Sequence, residues 1–281
     1  MSKATTLNAH GVEGRGGSAP DCGAATASPA VGGTVIAVPV TEIPPRSEGV
    51  AGILYRSFEI LVALTVLTLG APFVLVASAL IRLDSPGSPF YVHRRPGRST
   101  VMRGRDLRDR TDLRPPPGGF DPDGLYYVPT YFNLIKLRTM YSDSRARFPD
   151  LYAYAFTPEN FHSAFPTLKH DPRVTPAGRV LRKLSVDEIP NLWLVLTGEM
   201  SLVGPRPEAP EVLQYYTAEE MYKFICKPGI TGLAQVNGRG LLNWGETIAW
   251  DLRYVRSRTV LLDLKILVWT ALRVTTLHGA F

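Results

Sequence analysis

A chain of 281 residues, 45% hydrophobic and 20% charged, has the ordinary composition of a folded protein of one or two domains. Its formal net charge of +6 suits anionic partners: nucleic acid, acidic lipid or phosphorylated substrates. Two distant cysteines, Cys22 and Cys226, and five scattered histidines imply no disulfide framework and no zinc site, and they speak against a histidine-based centre.

Residues 1–49 contain no Phe, Trp or Tyr and are dense in Gly, Ala, Ser, Thr and Pro. Such a stretch cannot bury enough apolar surface to offset chain entropy, so a disordered tail is expected. It lacks the apolar core and cleavage site of a signal peptide and is expected to stay attached. Residues 60–81 then run for 22 positions without a charge. A helix of that length spans about 33 Å, enough for a bilayer core of about 30 Å. Residues 50–82 are therefore expected to enter the membrane. Gly70, Ala71 and Pro72 stand in the middle, and a proline inside a helix costs about 3 kcal/mol and kinks it. Two geometries follow: a kinked span, or a broken helix that enters and leaves by one face. Between residues 82 and 114 nine Arg face four Asp, whereas residues 1–59 hold four Lys or Arg against five Asp or Glu, which puts the C-terminal side in the cytoplasm.

Next comes the basic run at residues 93–98, and residues 99–130 are rich in Arg, Asp, Pro and Gly, the pattern of an exposed insertion loop. The arginines beside the membrane either bind anionic headgroups or a phosphorylated lipid, or form a solvated charge run. Residues 131–140 alternate bulky and polar side chains as a strand does, which places Arg138 at a strand end facing a cleft. Residues 148–170 are irregular and suggest no role. Thr175 and Pro176 make a natural N-cap and first helical residue. The short helix after them carries Val180, Leu181 and Leu184 on one face and Arg179, Arg182 and Lys183 around the other. Those cations either bind a diphosphate or neutralise the acids that follow.

Residues 184–207 concentrate the chemistry. Ile189, Leu192, Trp193 and Leu196 form one apolar helical stripe, with Thr197 and Gly198 as the stop. Ser185 and Glu188 fit a capping box, but Asp187 as N-cap keeps Pro190 within the first turn and is preferred. Either register puts Asp187 and Glu188 where a helix N-terminus favours negative charge, so both are expected to be ionised at neutral pH. An ionised carboxylate can bind a metal or attack phosphorus, although acids at a helix start are most often caps. Further on, residues 227–239 read as turn, short strand and turn, with glycines that let backbone approach a ligand. Residues 250–277 have an amphipathic pattern that suits a helix on the membrane surface or one packed in a core.

In this order the segments resemble the bacterial sugar transferase family, the monotopic phosphoglycosyl transferases that start exopolysaccharide, O-antigen and glycoprotein glycan assembly. The resemblance runs from about Arg56 to the C-terminus. It rests on the strand ending at residues 136–140, the run 171–193 through Asp187 and Glu188, the block 198–207 ending Pro205, Arg206, Pro207, and residues 227–232 with Lys227, Gly229 and Thr231. The resemblance implies an α+β protein: a re-entrant membrane helix, then a small, mostly helical cytoplasmic catalytic domain over 83–281 with short strands and interfacial amphipathic helices. It implies that Asp187 attacks the β-phosphate of a UDP-sugar, releasing UMP, and that undecaprenyl phosphate then takes the phosphosugar. Glu188 would handle protons and position the acceptor. Mg²⁺ or Mn²⁺, held by Asp187, would bridge carboxylate and diphosphate, while Arg138, Arg206, Arg173 and Arg182 offset phosphate charge.

The implied setting is the bacterial inner membrane, cytoplasmic face, with membrane lipid as a partner, a homodimer left open and no nucleic acid. Ala71-Pro72 stands where the family commonly has Ser-Pro, and the resemblance is to the short form, so the extra four-helix membrane domain of the long form is not expected. Two other classes compete. An inactive membrane scaffold of a polysaccharide complex would have no need of the charged cleft residues. A nucleic-acid binder lacks a recognised motif.

Overall fold

The computed structural model describes residues 35–40, 50–152, 156–166, 168, 170–238 and 240–275. Most of the expected tail, with Cys22, lies outside these. The part that is described is ordered: β1 (Val35–Ile36) pairs with the later strand at residues 113–114, and β2 (Val38–Pro39) with residues 126–127. Val35, Ala37 and Val38 are buried against Leu107, Leu113, Tyr126 and Val128. Averaging over a Gly- and Ala-rich stretch conceals this short β-branched run, which finds its partners about 80 residues further along the chain.

Helix α1 (Val50–Asp84) is one continuous helix of 35 residues, apolar and long enough to cross a membrane. The expected break at Gly70, Ala71 and Pro72 is absent; Pro72 sits inside the helix, where its ring leaves the Thr68 carbonyl without its usual amide donor. The buried positions Tyr55, Glu59, Ala63, Gly70, Ala77 and Ile81 recur at intervals of four and seven and so make one stripe. Leu61, Leu64, Leu69, Phe73, Leu75 and Val76 on the other faces are exposed. The stripe docks on the rest of the protein from end to end. Arg56 donates to the carbonyls of Val195 and Leu196, and Glu59 accepts from Ser201 Oγ and from Leu202 N at 3.0 Å. At the far end Asp84 accepts from Ala177 N at 3.3 Å. Midway, a Cβ at Gly70 would lie 3.1 Å from Ile189 Cγ2, so a larger residue would push the two segments apart.

The expected insertion loop at 99–130 is instead the outer half of a hairpin. Strand β3 (Phe90–Arg103) runs antiparallel to β5 (Leu125–Leu137), from Phe90 opposite Leu137 to Arg103 opposite Leu125. A register shift between Pro96 and Ser99 absorbs the proline, which has no amide for the ladder. A 3-10 turn at Gly104–Leu107 and β4 (Leu113–Arg114) lie between the strands, and the sheet order is β2-β5-β3. The charges face outward while Leu107 and Leu113 are buried, so the stretch has a core side that its composition hides.

Short elements follow: α2 (Ser144–Arg147), then α3 (Pro158–Phe161) behind a Thr157/Asn160 capping box. Helix α4 (Pro176–Leu184) begins as expected, with Thr175 Oγ1 accepting from Gly178 N at 3.0 Å and Pro176 in the first turn. Of its expected apolar face only Leu181 is buried; Val180 and Leu184 are exposed. Ser185 ends it with φ 57°, a left-handed conformation. That turn excludes the expected helix start at Asp187. Val186–Asn191 forms a 3-10 turn that contains Asp187, Glu188 and Pro190, and α5 (Leu192–Thr197) begins only after it.

Strand β6 (Ser201–Val203) pairs in parallel with β7 (Gly229–Thr231). Helices α6 (Leu233–Gly238), α7 (Trp244–Ser257) and α8 (Val260–Thr275) complete the described chain. The single amphipathic helix expected over 250–277 is thus two, divided at Arg258, whose backbone is extended and whose guanidinium donates to Cys226 Sγ at 3.0 Å. One core gathers Phe161, Leu213, Tyr216 and Trp244; a second gathers Val195, Met200, Leu202, Tyr254 and Ile266 with Ala63 of α1.

Gly70→Val should therefore destabilise the protein by about 1–3 kcal/mol through overpacking against Ile189, whereas Leu69→Ala, on the exposed face, should change stability by less than about 0.5 kcal/mol. Thermal unfolding in detergent measures both; equal melting temperatures for the two variants would contradict the docking of α1.

Candidate active site

The site forms where the 3-10 turn meets the hairpin. Asn191 Oδ1 accepts from Ile135 N at 3.2 Å, which fixes the turn against β5. Asp187 is buried, 6% exposed, and Glu188 lines a cleft with Arg95 of β3, Lys136 of β5, and Arg206 and Pro207 from the segment after β6. Arg182 of α4 is close enough for its charge to act on Asp187 and is held by its Nε donating to Thr139 Oγ1 at 2.9 Å.

Burial first, and the neighbouring Glu188 second, push the Asp187 carboxyl up to about 6, although Lys136 and Arg182 pull against them. The expected effect of a helix N-terminus is overridden because Asp187 lies inside a 3-10 turn and out of water. The group is still ionised at neutral pH, with about one unit to spare. Burial also brings Lys136 down to about 8, with Asp187 and Glu188 holding it up. The result is a desolvated carboxylate whose nearest counter-charges are themselves partly desolvated.

The cleft wall owes its shape to glycines. A Cβ at Gly229 would lie 2.1 Å from Gly204 N, and one at Gly204 2.4 Å from the Lys227 carbonyl. Only bare backbone allows this approach. It sets Pro205, whose carbonyl accepts from Gly229 N at 3.0 Å, and hence Arg206, beside the dyad.

Of the residues singled out in the sequence, Arg206, Pro207 and Gly229 line the cleft with Glu188, and Arg182 acts on Asp187. The structure does not bring Arg138 there. Its guanidinium donates to Ser88 O, Ser85 Oγ and Ser85 O, each at 2.8 Å, and clamps the end of α1 to β5. Arg173 is engaged by both oxygens of Asp171 and by the Leu151 carbonyl. Lys227 lies by Gly198 at the end of α5, and Thr231 Oγ1 meets Thr270 Oγ1 of α8 at 2.7 Å.

Sequence reasoning missed Lys136, Arg95, Asn191 and Gln235. Lys136 and Arg138 share strand parity, so alternation alone offers either; β5 ends at Leu137, and Arg138 then turns away. Among the described residues no group of three or more His, Cys, Asp or Glu gathers as a metal site.

The chain thus docks a helix long and apolar enough to cross a membrane on a domain that holds a buried acid among cations. The chain belongs to the bacterial sugar transferase family, whose model matches residues 127–277, and it is a phosphoglycosyl transferase. It is 32% identical over 234 residues to the exopolysaccharide production protein ExoY of Rhizobium meliloti, a match covering 83% of this chain and 90% of the relative. It is 34% identical to the UDP-glucose:undecaprenyl-phosphate glucose-1-phosphate transferase of Caulobacter vibrioides, over 80% of this chain and 71% of that protein. With the undecaprenyl-phosphate glucose phosphotransferase of Komagataeibacter xylinus the identity is 32%, over 80% of this chain and 36% of that longer protein.

The raised Asp187 value has a thermodynamic consequence. The folded protein holds this proton more tightly than the unfolded chain does, so the associated stability is full below the ordinary value of 3.8 and is lost as pH rises through about 6. At neutral pH the carboxylate then costs the fold up to about 3 kcal/mol. Asp187→Asn should melt higher than wild type at pH 7.5 and at the same temperature at pH 4. A mutant that melts lower at pH 7.5 would show that the carboxylate is not under this strain.

Proposed function

We propose that this chain transfers a sugar 1-phosphate from a UDP-sugar to undecaprenyl phosphate through a phosphosugar carried on Asp187, releasing UMP, as the first membrane step of exopolysaccharide or related glycan assembly. The relatives named as undecaprenyl-phosphate sugar transferases support the donor and acceptor. The observation that carries the mechanism is the buried Asp187, raised to about 6 and acted on by the charges of Lys136 and Arg182, next to Glu188 in the cleft.

The steps balance as follows. An Asp187 carboxylate oxygen attacks the β-phosphorus, and the bond from that phosphorus to the α–β bridging oxygen breaks. UMP leaves with the electron pair. A phosphate oxygen of the polyprenyl phosphate then attacks the same phosphorus and returns the Asp187 carboxylate, giving a polyprenyl diphosphosugar. A desolvated carboxylate is the stronger nucleophile, and Lys136, Arg206 and Arg95 offset the phosphate charge that would repel it. Arg182 holds Asp187 from behind. Glu188, open to the cleft, positions the acceptor and receives its proton where one must be removed.

Two adjacent carboxylates fit a divalent ion that arrives with a diphosphate, because Mg²⁺ keeps several waters and needs only one or two protein carboxylates besides phosphate oxygens. Asp187, with Glu188 next to it, would hold Mg²⁺ or Mn²⁺. Such an ion would neutralise charge on the diphosphate. Asp187→Asn should lower UMP release from UDP-glucose or UDP-galactose, with undecaprenyl phosphate present, by at least about 10³-fold. In the same assay EDTA should abolish wild-type activity and added Mg²⁺ restore it. Turnover by the Asn variant would remove Asp187 from its role, and full activity in EDTA would remove the metal.

Helix α1 is proposed to lie along the cytoplasmic leaflet of the inner membrane without crossing it, with the catalytic domain cytoplasmic. Support comes from its two ends: Arg56 and Asp84, about 42 Å apart along a helix, both bond to the same domain. A crossing helix would require that domain to reach through the bilayer. Exposed Leu261, Leu264, Val268, Trp269 and Leu272 on α8 offer a second apolar face to the lipid. With Cys226 replaced by Ser, Cys22 should resist an impermeant thiol reagent in spheroplasts and react after lysis. Labelling before lysis would mean that α1 crosses.

A further inference from the structure

The cleft contains a polar group that the proposed chemistry does not use. Gln235, on α6, lines it together with Glu188, Lys136 and Arg206. Its amide nitrogen and amide oxygen are both buried, and neither has a hydrogen-bond partner among the described residues. Buried amide groups are nearly always paired, and leaving one unmet costs more than the bond would return. The backbone beneath accommodates the side chain closely: a Cβ at Gly232 would come within 2.7 Å of Gln235 Oε1.

The surroundings narrow the choice of ligand group. The cations Arg95, Lys136 and Arg206 serve phosphate. Leu134, Met200 and Ile230 are apolar, and no aromatic ring is among the described residues that line the cleft, so a pyrimidine base has nothing there to stack on. An amide with a free carbonyl and a free NH₂ can accept from one hydroxyl and donate to the next, and a sugar carries adjacent hydroxyls that both donate and accept.

We propose that Gln235 is a specificity-determining residue that hydrogen-bonds a hydroxyl of the transferred sugar. The inference rests on the reading of the donor as a sugar nucleotide. A site that presents buried polar groups to a hydroxyl discriminates strongly against sugars that lack it, because the analogue leaves those groups unpaired.

The test is UMP release by the full chain in detergent, wild type against Gln235→Met, with undecaprenyl phosphate as acceptor. The donors are UDP-glucose or UDP-galactose, whichever wild type uses faster, and its 2-, 3-, 4- and 6-deoxy analogues. Gln235→Met should lower kcat/KM for the parent sugar by about 10–100-fold, yet match wild type within about 3-fold on one deoxy analogue, because the interaction is already lost there. The variant should also melt at or above the wild-type temperature without substrate, since it removes two unmet polar atoms. A loss that is uniform across the parent and all four analogues, or a variant that melts clearly lower, would assign Gln235 a structural role and overturn the inference alone. A wild type that releases no UMP from any donor would overturn the parent reading and this one together.

Discussion

Placing one carboxylate out of water organises the centre of this protein. Asp187 sits on a 3-10 turn, pushed up to about 6 by burial, and its ionised form is tolerable only because Lys136 and Arg182 stand near it. Each counter-charge depends on a different part of the fold. Lys136 is delivered by β5, which Arg138 ties to the end of α1. Arg182 is delivered by α4, whose start is capped by Thr175 and whose amide at Ala177 bonds Asp84 of α1. The turn itself is held by Asn191 on one side and by Ile189 against Gly70 on the other. The apolar helix therefore braces the elements that carry the candidate site.

What was legible in the sequence is what local chemistry determines. Thr175-Pro176 start a helix because a hydroxyl and a fixed φ suit that end of one, and the structure keeps both. Gly229, within the run 227–239, pointed to close backbone approach to a ligand, and the close approach found is to Gly204 just past β6. Where long-range pairing decides, local reading failed. Val35–Pro39 looked like more of a tail until Leu113 and Tyr127 supplied partners. The charges at 99–130 suggested solvent, yet they decorate one side of a hairpin whose other side is core.

The candidate site was legible to the same extent. Asp187 and Glu188 stood out as adjacent acids, whereas Arg206 came only with the family resemblance. Choosing Lys136 over Arg138 required knowing that β5 ends between them. Asp187 is ionised at neutral pH as expected, but its pKa is raised to about 6 rather than held down as a helix N-terminus would do. A helix N-terminus lowers a carboxylate pKa only where the amides point at it in a regular first turn, and the left-handed Ser185 replaces that turn with a tighter one.

Arg206 must stay extended toward the cleft even though Asp187 and Glu188 are not its only acidic neighbours, and the core behind it explains how. Lys223 is fully buried with Nζ 3.1 Å from Glu208 and 2.9 Å from Asp251. Burial opposes its charge, but the two acids outweigh burial and push its pKa well above the ordinary value. Burial still raises Asp251 to about 6 despite that ammonium, and the Arg206 charge lowers it. One ammonium shared by two acids leaves a buried cluster of net negative character directly after Pro207. The guanidinium is thus attracted from behind as well as from the dyad, while the prolines on either side restrict the backbone that carries it. Breaking such a buried pair typically costs about 3–5 kcal/mol, so the cluster is a rigid base for Arg206. That base matters because the Arg206 side chain is itself exposed and gains no fixed position from packing.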